Sequence, residues 1–557
     1  MVSGRVAPGP VVAGPLTSIL VPLGLIALAA ALRLPDLATR GTWDGDQGHD
    51  MLVLRALVRD GVVPLLGPPT SIGDVHHGAL YYYLLAPAAA LTGGESPLAV
   101  VFLIALAGIA AVAVTWWLAR SIAGPVAGLV AGLAMAISPA SIDESTFIWN
   151  PNLIGLSSAV ALAGASHAWR TGRARWWLLA AIGTAVTMQC HVLGVTLLPI
   201  VGALFVADLR RRPPGTDRRA LVRVGLGGLG LIALSFVPLV VHELTTNFAE
   251  VQAALDYIRA GGEAGTDGPV GRFLIIGTRV VSWPLVGLIV DGVAAAVLSL
   301  VAVVWIAVWR SVWGSGDERV VVRWLGLGLA WTAVALTFLA PGLSVVIRGL
   351  PNDHYHAFAD PMVFVLIGIG AAALWRAIPR RRAASAGPVE ATPADATTPI
   401  PARGVTPGRV IAVAGVAVLA AWAATHGPPP VHADGGFPAA QVAAERIEAV
   451  AGPGPIDLRS LPVFKSVEAY AYPLVLGGRD LERGEEIGQA ALARGEAGTD
   501  APASIVVICD VLFEAVIGAP CGGPAESLLV RSGSGELLDR FDGAPGRVIS
   551  IYRVTSR

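Results

Sequence analysis

The chain has 557 residues, of which 54% are hydrophobic and only 14% charged, with a formal net charge of −1. Soluble domains carry about 25% charged residues, so the composition excludes an ordinary globular protein and points to a polytopic α-helical membrane protein. The near-neutral charge leaves no basic field for nucleic acid, and Lys465 is the one lysine among the 39 basic residues.

The first apolar run, Pro15 to Leu32, is longer than the apolar part of a signal peptide. It ends in "LRLPDL" without a small-residue cleavage pattern, so it is expected to stay as a transmembrane helix. Runs of about 17 to 25 apolar residues predict further spans near 97–119, 124–139, 151–169, 176–189, 191–208, 220–243, 286–309, 320–341, 355–376 and 408–426, making eleven.

The loops "RTGRAR", "DLRRRPPGTDRRALVR", "RSVWGSGDER" and "RAIPRRRAAS…PARGVTPGR" alternate with Arg-poor loops such as "SPASIDESTFIWN". The positive-inside rule then places the N-terminus in the cytoplasm and the C-terminus outside a plasma membrane.

Residues 34–96 form a long first outer loop. Its "MLVLRALV" and "ALYYYLLAPAAAL" patterns suit helices lying along the interface. Residues 1–426 are read as the transmembrane domain, with a Pro/Ala/Thr-rich cytoplasmic linker over 377–407. Residues 427–557 mix strand-like runs ("ASIVVICDVLF", "RVISIYRV") with a helical one ("AAERIEAVA"), which predicts a small extracytoplasmic α/β domain. In an oxidising compartment Cys509 and Cys521 should pair, while Cys190 is expected to be a buried thiol.

Ionisable groups near span ends are candidates for function. Those expected on the outer side are Asp44, Asp46, His49 and Asp50 in "DGDQGHD", then His76 and His77 in "DVHHGALYYY". Asn150 and Asn152 in "WNPN" follow, then Gln189 and His191, and finally Arg348, Asp353, His354 and His356 in "VIRGLPNDHYHAFADP".

Plainer readings stand beside each. "DGDQGHD" also fits a solvated, Asp-capped helix start. A calcium loop would need a Gly and a distal Glu that are absent, and His76–His77 lack a third zinc ligand at a recognisable spacing. The "YYY" run equally fits an interfacial aromatic belt, and His191 and His354 could be hydrogen-bonded interior histidines.

An acidic motif after the first span, followed by a segment ending in Leu-Tyr-Tyr, resembles the C-type glycosyltransferases. The nearest branch is glycosyltransferase family 39 with its relatives, the protein mannosyltransferases and lipid A aminoarabinose transferases. The matching positions are Asp46-Gln47 and His77-Gly78-Ala79-Leu80-Tyr81-Tyr82. "SPASIDESTFIWNPN" resembles the family's second outer loop, and "DHYHAFADP" resembles a segment before a late helix. The resemblance covers roughly residues 15–376. Gln47 stands where the family has Glu, and His77 where it has Lys.

The resemblance implies a polyprenyl-phosphate-linked monosaccharide donor, drawn from the membrane lipid, and an extracytoplasmic acceptor. It implies an inverting transfer of a hexosyl or pentosyl group without a cofactor or metal, with Asp46 as general base. Arg348, His354 and Tyr355 would contact the lipid phosphate. Asp44, Gln47, His49, Asp50, His76, His77, Tyr81, Tyr82, Asn150, Asn152, Gln189 and His191 would contact substrate. A transporter or flippase of lipid-linked sugar remains the alternative, although its ionisable groups should lie near the midplane. A structural scaffold would not need both outer motifs.

Overall fold

A helix begins at or near the start of nearly every predicted apolar run. The computed structural model describes residues 15–70, 75–259, 268–346, 353–377, 406–427, 434–462, 465, 467–479, 481–483, 504–530 and 534–555. The predicted linker falls largely outside the described residues, and Arg348 lies wholly outside them.

The first helix, α1 (Pro15–Arg33), ends in an arginine that folds inward. Arg33 donates to the carbonyls of Ala136 (2.9 Å) and Met135 (3.1 Å) and to Ser145 Oγ (3.3 Å). Those carbonyls belong to the last turn of a later helix, where no intrahelical donor remains, so the cation caps them.

A short helix, α2 (Leu37–Arg40), leads to α3 (Gly45–Asp60), which carries the acidic motif. The antiparallel pair β1 (Leu66–Pro69) and β2 (His76–Gly78) then precedes α4 (Leu80–Ala90).

The bundle continues as α5 (Pro97–Ala123), α6 (Pro125–Ile137), α7 (Pro139–Asp143), α8 (Ile154–Thr171), α9 (Trp176–Cys190) and α10 (Leu197–Arg211). Small residues let α8 and α9 approach closely, as membrane helices do. A Cβ on Gly183 would sit 2.4 Å from Ser157 O, and one on Gly164 would sit 2.7 Å from Ala180 N.

Next come α11 (Thr216–Ser235), α12 (Val237–Thr245), α13 (Ala249–Arg259), α14 (Pro269–Val286), α15 (Val293–Trp313), α16 (Gly316–Leu339), α17 (Asp360–Arg376) and α18 (Pro407–His426). The hydropathy reading passes over α14, because Arg272 and Arg279 interrupt its apolar run. Its C-terminal half is nevertheless buried.

Among the described residues, six helices are long and apolar enough to cross a membrane: 97–123, 192–211, 293–313, 316–339, 353–376 and 407–426. The pair α11–α12, bent by 45°, makes a possible seventh. The chain is therefore a polytopic membrane protein. The smaller count than eleven has local causes. Pro125 and Pro139 bracket α6 at 13 residues, and α8 carries three serines, His167 and Arg170. Exposed Leu226, Leu229 and Leu234 on α11, Val297, Leu298, Val301 and Trp305 on α15, and Val410, Ile411 and Val418 on α18 are the faces a lipid solvent would cover.

The C-terminal unit opens with α19 (Gly436–Ala451), β3 (Ile456–Leu461), α20 (Glu468–Leu476), β4 (Leu481–Arg483) and β5 (Ser504–Asp510). It closes with α21 (Glu514–Ile517), α22 (Pro524–Val530), β6 (Ser534–Ala544) and β7 (Arg547–Thr555). The strands form one mixed sheet in the order β4-β3-β5-β7-β6, parallel from β4 to β5 and antiparallel beyond. Cys509 and Cys521 are disulfide-bonded at a Cα–Cα distance of 5.7 Å, and Cys190 is a buried free thiol.

This unit docks on the first outer loop. Trp43 donates its indole N–H to Ala469 O (2.7 Å) and its backbone N–H to Asp434 (2.8 Å), and its ring packs on Phe437 and Tyr472. Tyr472 donates to Gly94 O (2.9 Å). Gly48 is the contact point on α3, since a Cβ there would lie 1.9 Å from Glu468 O.

Candidate active site

The start of α3 is a reciprocal cap. Asp44 accepts from Gly45 N (2.8 Å), and Gln47 accepts from Asp44 N (2.7 Å), which satisfies donors that a helix start leaves open. The other end of the Gln47 amide donates to Ile148 O (2.7 Å), tying this turn to the segment between α7 and α8.

Asp44 also meets two cations from the C-terminal unit. Lys465 Nζ lies 2.9 Å from one carboxylate oxygen and Arg547 3.3 Å from the other. Burial alone would raise the Asp44 pKa, but Arg547 and Lys465 hold it well below the usual carboxylate range.

Asp46 sits two residues beyond, in the first turn of α3. It is exposed to solvent, whereas Asp44 and Asp50 are half-buried and buried. Desolvation by the surrounding protein and the neighbouring Asp44 push its pKa up, against the pull of Lys465 and His49. The arrangement leaves one reachable carboxylate with raised proton affinity.

Asp50 is sealed by α4. Tyr81 and Tyr82 donate to its two oxygens at 2.7 and 2.8 Å, and all three side chains are at most 1% exposed. The structure thus sets the two tyrosines against Asp50 rather than along an open substrate wall. Burial, opposed by His49 and the two hydroxyls, brings Asp50 up to about 7. His49 turns to Glu468 of α20 (2.8 Å). Burial would lower its pKa, but Glu468 raises it to about 9.

His76 and His77 turn to different partners. His76 contacts Glu250 of α13 through Nδ1 (2.8 Å) and its backbone N–H (2.7 Å). His77 is buried and accepts from Val192 N (3.2 Å). Burial, with His191 and His76 nearby, keeps it neutral, so it offers a hydrogen bond and no positive charge.

From His77 a row of rings crosses the site: His77 to His191 at 4.6 Å, His191 stacked on Tyr355 at 4.6 Å, Tyr355 to Trp149 at 5.7 Å and Trp149 to His354 at 5.0 Å. The structure therefore gathers His77, His191 and the adjacent His354 and Tyr355 from three distant parts of the chain. Asn150 and Asn152 donate to Cys190 O (2.5 Å) and Phe147 O (2.8 Å), holding backbone in place. Gln189 packs against Gly78, where a Cβ would come 2.0 Å from Gln189 Oε1.

Beyond His354 lies an acidic cluster of which the sequence reading singles out Asp353 but not Asp143, Glu144 or Asp360. Asp143 is 3.7 Å from His354 Nε2, and Glu144 accepts from Trp283 Nε1 (2.9 Å). Asp353 is held by both arms of Arg279 (2.9 and 2.6 Å) and contacts His356 (3.2 Å). Asp360 is fully buried beside them. Arg279 escaped notice because a lone arginine in an apolar run reads as a break. Lys465, Glu468 and Arg547 were missed because nothing local ties them to α3. The uniqueness of Lys465 was the one available signal.

Residues 76–240, less than a third of the chain, match the sequence profile of the dolichyl-phosphate-mannose-protein mannosyltransferase family. That segment begins at the "HHGALYYY" motif, and the chain resembles the C-type glycosyltransferases of the family 39 kind. No curated protein matches it.

Among solved structures it is similar to ArnT from Cupriavidus metallidurans in the apo state. The two share 15% identity with a TM-score of 0.48, over 96% of this chain and 98% of that one. The same protein has been solved bound to undecaprenyl phosphate. The oligosaccharyltransferase of Archaeoglobus fulgidus in its apo form is 12% identical, with a TM-score of 0.49 over 94% and 73% of the two chains. Arabinosyltransferase EmbB from Mycobacterium smegmatis is 13% identical, with a TM-score of 0.32 over 76% and 39%.

Proposed function

We propose that this chain is a glycosyltransferase of the plasma membrane that moves a monosaccharide, hexosyl or pentosyl, from a polyprenyl-phosphate donor to an extracytoplasmic acceptor. One observation carries the reading: Asp46 is the accessible carboxylate of a motif whose other two acids are occupied. Asp44 is held by Lys465 and Arg547, and Asp50 by Tyr81 and Tyr82. The profile match over 76–240 supports the same reaction class.

An acceptor hydroxyl is a poor nucleophile until its proton is taken, and a carboxylate of raised pKa does this well near neutral pH. Asp46 would take the proton while the hydroxyl oxygen bonds to the sugar's C1. The bond from C1 to the phosphate oxygen breaks on the opposite face, and the anomeric centre inverts. The departing lipid phosphate is already an anion, so it needs compensating charge and hydrogen bonds more than a proton. Arg348, His354 and Tyr355 are assigned to it, with His77 and His191 bordering the same row of rings. Gln47, Asn150 and Asn152 hold loops and do not touch sugar in this scheme.

The outer location of the C-terminal unit belongs to the same proposal. The arginine distribution supports it, as does the Cys509–Cys521 disulfide, a bond favoured in oxidising compartments. The experiment is a transfer assay with the full chain in liposomes, using undecaprenyl- and dolichyl-phosphate sugars labelled in the sugar. Release of labelled sugar to an acceptor is expected. Movement of intact lipid-linked sugar across the bilayer, with no cleavage at C1, would make the chain a flippase instead.

A further inference from the structure

The C-terminal unit reaches the acidic loop with the chain's one lysine. Lys465 follows β3 and extends its ammonium to Asp44 Oδ2 at 2.9 Å, with Asp510 at 4.0 Å and the Phe513 ring 5.2 Å beneath it. Arg547, the first residue of β7, approaches the other Asp44 oxygen at 3.3 Å and donates to Trp43 O at 3.0 Å. Asp44, Lys465, Asp510, Tyr470 and Arg547 enclose a small recess between the C-terminal unit and the start of α3.

We infer that the C-terminal unit completes the catalytic centre, with Lys465 as a positioning residue that fixes the first turn of α3 and balances the charge around Asp46. The inference rests on the transferase reading of Asp46.

The two cations do different work. Arg547 is anchored to the Trp43 carbonyl and so fixes backbone as well as charge. Lys465 meets Asp44 through a flexible stem, and its ammonium also acts on Asp46. Six ionisable groups share the Asp46 environment: Asp44 at the cap of α3, His49 and Asp50 from α3, Tyr82 from α4, and Lys465 and Glu468 from the C-terminal unit. Asp44 and Glu468 favour the protonated form of Asp46, while Lys465 and His49 favour the ionised form that a base needs. Two carboxylates two residues apart on a first turn repel each other. A cation delivered from another part of the fold offsets that repulsion only when the C-terminal unit is docked.

The test compares Lys465→Met and Lys465→Arg with the wild type, as full chains in liposomes. In Lys465→Met the acid limb of the pH–rate profile should move to higher pH. The rate at neutral pH should fall about 10- to 100-fold, the range for a lost charge-assisted hydrogen bond, with donor KM unchanged. Lys465→Arg should restore both. A role in stability alone would lower the yield of folded protein and leave the acid limb in place, and that result overturns the inference.

A second readout does not need activity. Reductive methylation with 13C-formaldehyde labels Lys465 as one side-chain resonance beside that of the N-terminal amine. Its shift should follow a titration that disappears in Asp46→Asn, and a shift indifferent to that substitution also overturns the inference. A wild type that transfers no sugar while the resonance still follows Asp46 would sink the transferase reading and leave the Lys465–Asp46 coupling standing.

Discussion

His49 Nδ1 lies 2.8 Å from the Glu468 carboxylate, a pair 419 positions apart that joins the helix of the acidic motif to the C-terminal unit. Both side chains are largely buried. The pair works as an ion pair only while the imidazole is protonated, which gives docking a pH dependence of predictable sign.

The His49 pKa is raised to about 9 in the folded chain against 6.5 unperturbed. Its contribution to stability is therefore fully present below about pH 6.5 and is lost as the pH rises through about 9. Thermal unfolding followed from pH 6 to 10 should show a midpoint that falls across this window. Glu468→Gln should flatten the fall and lower the plateau on the acid side, where removing one partner of a buried pair costs about 3–5 kcal/mol. An unchanged slope in Glu468→Gln would show that the pair does not hold the two parts together.

Gly48 gives a steric test of the same contact. A methyl there would stand 1.9 Å from Glu468 O and 2.7 Å from Ala469 N, both backbone atoms that cannot swing aside. Gly48→Ala should therefore displace α20 at a cost of at least the ~1–3 kcal/mol typical of overpacking. Limited proteolysis should cut the C-terminal unit faster in the variant while the membrane helices stay protected. Equal cleavage rates would contradict the docking geometry.

Much of the membrane part is legible in the sequence, because an apolar run of sufficient length has few alternatives to a helix. The starts of α5, α16 and α18 follow from that rule and from flanking Pro, Gly and Arg, whereas α15 begins at Val293, seven residues after the predicted start at 286. The bend between α11 and α12 at Phe236–Pro238 interrupts a run that hydropathy reads as continuous.

The cap at Asp44 and Gln47 is readable from their three-residue spacing, and so is Asp46 as a candidate. The Asp50–Tyr81–Tyr82 cluster is less so, since whether a Tyr-Tyr pair faces lipid, substrate or a buried acid depends on how α3 and α4 pack. The contacts of Lys465, Glu468 and Arg547 with α3 span more than 400 positions. Periodicity and composition act within one element and carry no information about such pairings.

Asp50 predicts a slope of its own at lower pH. Its pKa is about 7 in the fold against 3.8 unperturbed, because burial outweighs His49 and the two tyrosine hydroxyls. A carboxyl raised in this way favours folding below about pH 4, and that contribution is lost as the pH rises through about 7. Asp50→Asn should remove this part of the decline between pH 4 and 7 in thermal unfolding. Tyr82→Phe should steepen it, since Asp50 then loses a donor to its charged form. A wild-type slope retained in Asp50→Asn would place the titration elsewhere.

The central claim is that Asp46 takes the acceptor's proton. The most direct measurement is the rate of sugar transfer by Asp46→Asn, beside Asp44→Asn and the wild type, with donor-lipid binding measured on the same samples. The substitution removes basicity with almost no change of shape. The account predicts a rate lower by about 10²–10⁴-fold, the usual worth of a general base, with donor binding and folding retained. Near wild-type transfer by Asp46→Asn would contradict it, and if Asp44→Asn were then inactive, the base would be the neighbouring carboxylate.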